Sequence, residues 1–332
     1  VPSWRINLLA LSAFINLLTR FCRYDECKLK RVVSVSLGSS KRDKQSRICL
    51  LGEEFLIERV GVDGNLELFA KKFAELDGQV DALGIGGADL YLWINSKRYV
   101  FKQIEKLISG AKQTPVVDGS GLKHTLERTL IETLQQKQII DFRNERVLLT
   151  MAVDRFGMAK KLSEVCSNIV FGDIMFGLGL PLRIKNYRTI AFIGKMILPI
   201  ITRLPFQWFY PTGKKQEKRT PKFKWAFDEA SVIAGDWHYI KKFCPDKLEG
   251  KKIITNTLRK TDIEFLRVTG ADMAITSTPE IEGETFGTNV MEGVVVALSG
   301  KQPEDLAEAD YINVLEKLKW QPNVYSLRTH ES

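Results

Sequence analysis

The chain has 332 residues, 44% hydrophobic and 27% charged, an ordinary globular composition with length enough for two domains. Five scattered cysteines without a Cys-x-x-Cys pair, and only three histidines, argue against a disulfide framework or a zinc centre and for the reducing cytoplasm. The net charge of +9 is local: between Arg183 and Lys224 stand eleven basic residues and one acid, Glu217. The remainder is near neutral, so no nucleic-acid partner is expected.

Residues 4–23 are apolar with flanking arginines, but the uncharged run from Ile6 to Thr19 covers 14 residues, short of the roughly 17–25 that span a bilayer. No small-x-small cleavage site follows it. Residues 1–29 are expected to lie outside the fold; a surface or membrane-touching helix and a signal sequence are the alternatives.

From Lys30 the pattern is that of an α/β protein made of two units. In the first, residues 30–140, strands are expected at Lys30–Gly38, Arg47–Leu51 and Glu54–Val60, the last two joined at Gly52–Glu53. Helix Leu66–Leu76, strand Val80–Ile85, helix Tyr99–Ser109, strand Pro115–Asp118 and helix Leu122–Gln136 follow. In the second, residues 141–300, strands Arg146–Ala152, Asn168–Phe171, Ser231–Ala234, Lys252–Thr255 and Met273–Thr276 alternate with helices Gly157–Val165, Trp237–Phe243, Thr261–Thr269 and Asn289–Leu298. Apolar strands alternating with amphipathic helices predict a Rossmann-like, doubly wound parallel sheet. Residues 301–332 read as a tail.

Ligands of open α/β sheets sit beyond the carboxyl ends of the strands, so the residues there are the candidates. Asp118-Gly119-Ser120-Gly121-Leu122-Lys123 ends a strand and opens a helix, where N–H groups face a ligand. Lys123 and Asp118 are the expected acid–base pair, although Asp118 or Ser120 serves equally as a helix cap. Asp154-Arg155-Phe156-Gly157 follows the next unit's first strand, and Asp173 ends its second. An acid about 20 residues after the first turn suits a ribose, and Arg155 suits a phosphate. The G-x-G-x-x-G fingerprint is absent, with Gly157 alone in its last position. Thr255, Asn256, Thr276, Thr288 and Asn289 complete the candidate cofactor contacts, the last two in a loop expected to face a nicotinamide. His238, beside Asp236, is a candidate proton carrier or a surface histidine at a helix start.

Residues 182–224 break the rhythm. Thr189–Tyr210 is apolar but interrupted by Pro199, Pro205, Lys195 and Arg203, and a basic run, Lys214–Lys224, follows. Three readings stand: helices covering the sheet, a lid over the substrate site, or an interfacial segment touching anionic lipid or an acidic partner.

The segments VVSVSLGSSKRD, LGEEFLIERVGVDG, VVDGSGLKHTLER, AVDRFGMA, IAGDWHYIKK and GETFGTNVMEG resemble a bacterial family labelled quinate/shikimate dehydrogenase-like, over about Lys30 to Lys301. The resemblance implies an NAD- or NADP-dependent oxidoreductase acting on a cyclic hydroxy or keto acid. It also implies an N-terminal substrate domain and a C-terminal Rossmann domain.

Overall fold

The computed structural model of the chain describes residues 29–95, 97–205, 219–278, 280–281, 284–285 and 287–328. The extension expected at 1–29 lies, Leu29 apart, outside the described residues, as do residues 206–218 of the insert.

The first unit contributes β1 (Lys30–Ser36), β2 (Lys44–Leu50), β3 (Glu53–Gly61), β4 (Ala82–Gly86), β5 (Tyr91–Ile94), β6 (Lys97–Val100) and β7 (Val116–Val117). Five form a sheet in the order β2-β3-β1-β4-β7, parallel except for the β2–β3 hairpin. That hairpin turns through Leu51 (φ 53°) and Gly52 (φ 84°), one residue earlier than expected, with both residues left-handed as a two-residue hairpin favours. Helix α1 (Leu66–Leu76) starts where the Asn65 side chain accepts the Leu68 N–H at 2.9 Å. Its Phe69 and Phe73, four residues apart, are fully buried in the core with Val33 and Ile85.

The helix expected at Tyr99–Ser109 begins only at Lys102, as α2 (Lys102–Ile108); Tyr99 and Val100 belong to the β5–β6 hairpin. Leu92 faces Tyr99 across that hairpin, and both are buried. The alternation of aromatic and branched residues from Tyr91 to Val100 wins over the helical spacing.

The second unit's strands are β8 (Arg146–Leu149), β9 (Asn168–Phe171), β10 (Val232–Ala234), β11 (Lys252–Thr255), β12 (Met273–Thr276), the short pair β13 (Glu280–Ile281) and β14 (Glu284–Thr285), and β15 (Asn323–Ser326). The sheet order is β15-β12-β11-β10-β8-β9, parallel but for β15. The five parallel strands follow the doubly wound 2-1-3-4-5 order, which reverses direction between β8 and β10. Leu148, Ile233, Ile253 and Ala274 face one core, while Leu149, Ala234, Ile254 and Ile275 face the other. Both faces are thus covered, as a parallel sheet requires.

The remaining helices are α3 (Ser120–Gln136), α4 (Phe156–Val165), α5 (Tyr187–Ile201), α6 (Lys224–Glu229), α7 (Trp237–Phe243), α8 (Lys260–Val268), α9 (Thr288–Ser299) and α10 (Glu308–Lys317). Three of them tie the units together. Helix α3 buries Leu122 and Leu126 in the first core and Leu130, Ile131 and Leu134 in the second. Helix α9, expected in the second unit, packs instead on the first sheet, with Val290 and Val294 beside Val32 and Ala82. The second sheet already has both faces covered, so the apolar face of α9 finds its cover on the first. Helix α5, from the insert, buries Ala191 and Leu198 in the first core and Ile190 in the second. A Cβ on its Gly194 would stand 2.7 Å from Ile94 Cδ1 and 3.1 Å from Phe156 Cζ. The described part of the insert is a strap across the joint that also covers the second sheet, with Ile184 bridged to Phe171 of β9 and packed with Ile190 in the second core. The expected tail is also structural: Tyr311 and Leu315 of α10 enter the first core, and β15 closes the second sheet.

Glu292 of α9 fixes the start of α3. Its carboxylate accepts the Gly119 N–H at 2.7 Å, the Leu122 N–H at 3.1 Å and the Tyr311 hydroxyl at 2.8 Å, filling the role of a cap that Gly119 has no side chain to supply. A Cβ at Gly121 would lie 2.5 Å from both Glu292 Oε1 and Tyr311 Oη. Gly121→Ala is expected to cost about 1–3 kcal/mol by overpacking, read as a lower denaturation midpoint in urea.

Candidate active site between the two units

The carboxyl ends of the strands meet helix α3 at the joint. Lys123 and Glu127 lie one turn apart on α3, so they project from one face. Asp154 and Arg155 follow β8, and Asp236 follows β10, the two strands flanking the point where the strand order reverses. The Arg155 guanidinium, 2% exposed, is bound to Glu127 and donates to Asp236 Oδ2 at 2.9 Å. Asn256 Nδ2 donates to the same Asp236 oxygen at 3.2 Å. Lys123 Nζ stands 3.6 Å from Asp154 Oδ2. Five charged side chains from α3 and two strand ends thus form one network.

Burial and the net excess of acid govern its protonation. Burial alone would neutralise Lys123, but Asp154, Asp89 and Glu127 outweigh it and hold the ammonium above its usual range. Burial pushes the Asp154 carboxyl up, only partly opposed by Lys123 and Arg155, and does the same to Glu127. Asp236 is also pressed upward by burial, yet Arg155, His238 and Lys123 keep it below the usual carboxylate range. Lys123 therefore stands as an ammonium, and Asp154, its neighbour, is a carboxylate disposed to take a proton.

Two oxygens in this network, Glu127 Oε2 and Asp154 Oδ1, are buried without a hydrogen-bond partner. They border a cavity of about 20 Å³ lined by Trp93, Ser120, Lys123, His124, Glu127 and Asp154, among others, room for about one water. Trp93 roofs it, donating to Ser120 Oγ at 3.1 Å and stacking on His124 at 5.9 Å, with the Arg98 guanidinium 4.5 Å above the indole. Burial, reinforced by Arg128, lowers the His124 pKa.

Several residues expected here serve elsewhere. Asp118 accepts the N–H groups of Leu90, Tyr91 and Ser120 at 2.7, 2.8 and 2.9 Å; it pins the hairpin to α3, and Asp154 is the partner of Lys123. His238 is exposed, and what it supplies is its backbone N–H, donated to Asp236 at 2.8 Å. Thr288 and Asn289 lie on the first unit, where Asn289 Nδ2 donates to Ser34 Oγ of β1 at 2.7 Å. Thr255 is fully buried and donates to Asn256 at 3.0 Å. Thr276 accepts from Asn323 of the edge strand at 3.3 Å.

The β8–α4 turn does not fit a dinucleotide. The N–H groups of Ala152 and Val153, placed where a diphosphate would be held, donate to Asp173 at 3.0 and 2.9 Å. Asp173, expected on a ribose, is thereby a loop clamp. Arg155 points into the carboxylate network. A Cβ on Gly157 would lie 2.5 Å from the His124 carbonyl, so α3 lies directly against the first turn of α4. The loop is thus held by Asp173 and Asp236 of its own unit and by α3 of the first.

Asp173 and Glu292 carry a pH signature. Burial pushes Asp173 up to about 6 against its backbone donors. Burial and the charge of Asp118 push Glu292 up to about 7. In the pH range between the ordinary carboxylate values and these, the folded chain holds protons that the unfolded chain has released. The stability they confer is full below about pH 4 and is lost as pH rises through about 6 to 7, by up to roughly 1.4 kcal/mol per pH unit per group. Urea midpoints measured from pH 4 to 8 are expected to fall over that window, with a flatter fall in Glu292→Gln.

Two family models match the chain by sequence. A family described as a domain of unknown function (DUF8754) matches residues 121–327, and a second, DUF8753, matches residues 31–118. No curated protein matches the chain. Among solved structures, a glutamate dehydrogenase from Thermus thermophilus is 14% identical with a TM-score of 0.41, covering 88% of this chain and 74% of its own. A glucose-galactose binding protein from Geobacillus stearothermophilus is 11% identical with a TM-score of 0.38, covering 92% and 100%. The NAD-dependent malic enzyme of Thermotoga maritima is 13% identical with a TM-score of 0.35, covering 96% and 94%.

Proposed function

We propose that this chain, which belongs to the DUF8754 family, is an oxidoreductase acting on a secondary hydroxyl or keto group of a cyclic hydroxy acid, as in the quinate/shikimate dehydrogenase-like proteins it resembles. The observation that carries the reading is the Lys123–Asp154 pair beside two unpartnered buried carboxylate oxygens. Such acceptors call for a ligand that donates hydrogen bonds, and a polyol ring does so. Asp154 takes the hydroxyl proton on oxidation, and the Lys123 ammonium stabilises the charge growing on that oxygen. In the reverse direction the same proton returns from Asp154 to the carbonyl oxygen, which the Lys123 ammonium polarises by a hydrogen bond. Glu127, Arg155 and Asp236 orient the pair. The space at Lys123 is that of a single water, so a ring enters only when the units part.

In this reading an NAD or NADP cofactor supplies the hydride chemistry. The β8–α4 turn holds no cradle for it, so only the proton chemistry is derived from these residues. Calorimetric titration of the full chain with NAD, NADH, NADP and NADPH tests the reading. Saturable binding of one oxidised–reduced pair supports it. Binding of none removes the oxidoreductase assignment and leaves a polyol-binding cleft.

A further inference from the structure

We infer that the outward face of α5 docks the protein on an anionic lipid surface. The inference is independent of the activity proposed for the cleft. Phe192, Met196 and Ile200, at i, i+4 and i+8, form one stripe along the helix, and they are 66%, 62% and 63% exposed. Leu178, Leu180 and Leu182, just upstream, are exposed as well. Large apolar side chains are scattered singly on ordinary surfaces, and a concentration of this kind marks an interaction site.

The charge around the stripe has one sign. Arg188 and Lys195, seven residues apart, run along one edge, and Arg203 follows; all three are exposed. Residues 174–216 contain no Asp or Glu at all. At the flanks Glu229 holds Arg183 at 2.8 Å and Asp228 holds Lys224 at 2.6 Å.

The opposite face of α5 is fixed in place. Ile190, Ala191, Gly194 and Leu198 are buried, with Gly194 close against Ile94 and Phe156. The helix cannot roll inward to hide the stripe without emptying the joint between the units. A convex helix with an apolar stripe and cationic borders matches a sheet of anionic headgroups, into which the rings and thioether insert while Lys and Arg stems extend to the phosphates. Among the described residues no helix is long and apolar enough to cross a membrane, so α5 lies on the surface and does not span it.

The test is co-sedimentation of the full chain with phosphatidylcholine vesicles, with and without phosphatidylserine. Two double variants serve as probes, Phe192→Ser with Met196→Ser, and Arg188→Gln with Lys195→Gln. Both alter exposed side chains, and circular dichroism checks that the fold is kept. Docking predicts pelleting with phosphatidylserine vesicles at low salt, lost in roughly 0.5 M salt. It also predicts affinity reduced at least tenfold in the apolar double variant and roughly fivefold per cation in the basic one. No pelleting at low salt overturns the inference, as does binding that both variants retain, which assigns the contact to another segment. Self-association that the apolar variant abolishes, without vesicle binding, overturns it in favour of a second copy of the chain.

Discussion

Arg155→Met is expected to lower the unfolding free energy by about 3–5 kcal/mol. The guanidinium is almost wholly buried and is the cation shared by Glu127 and Asp236. Methionine fills a similar volume but leaves Glu127, 1% exposed, as a buried carboxylate stripped of its directly bonded counter-charge. Most of the loss comes from that stranded acid rather than from the absence of attraction. Adding Glu127→Leu to Arg155→Met is therefore expected to restore part of the stability. A double variant less stable than Arg155→Met alone would show that packing, not charge, dominates at this position. The readout is urea denaturation at neutral pH.

Lys123→Met carries the largest expected effect on turnover. The side chain is the only cation in the network, besides Arg155, facing the cavity, and it sits beside Asp154, whose pKa burial raises. Removing it takes away the charge and the hydrogen bond that stabilise the reacting oxygen. A fall of about 10²–10⁴ in kcat/KM is expected. Asp154→Asn is expected to lose a similar factor. The Lys123→Met/Asp154→Asn pair should be little worse than the worse single variant, because the two groups handle one proton. Full activity in Lys123→Met would end its assigned role.

How far the sequence reaches is clear from individual residues. Most strands and helices were legible because their apolar residues alternate or recur at helical spacing, and Lys123 was legible as the cation just inside a helix start after a strand end. The partner of Lys123 was not. Asp118 is nearer in sequence, but its carboxylate is turned by three backbone N–H groups into a hairpin clamp. Asp154 comes from the other unit, and only the tertiary docking of α3 on α4 brings it within 3.6 Å. Glu127 was missed although its i, i+4 spacing from Lys123 was a usable signal. The strand-end acids Asp154 and Asp236 both appeared in the pattern, but nothing local distinguishes them from turn residues. The reach of α9 across to the first sheet had no local signal either, since its apolar face fits any open sheet. The β5–β6 hairpin was hidden because Tyr99 and Phe101 also suit the helical spacing that follows.

The central claim is that the Lys123–Asp154 cleft receives a cyclic hydroxy acid, and the most direct measurement is calorimetric titration of the full chain and of Lys123→Met with quinate and shikimate. The account predicts saturable binding of one of these acids by the unaltered chain, weakened at least about tenfold in Lys123→Met. Equal affinity in both proteins, or no binding by the unaltered chain, would contradict it.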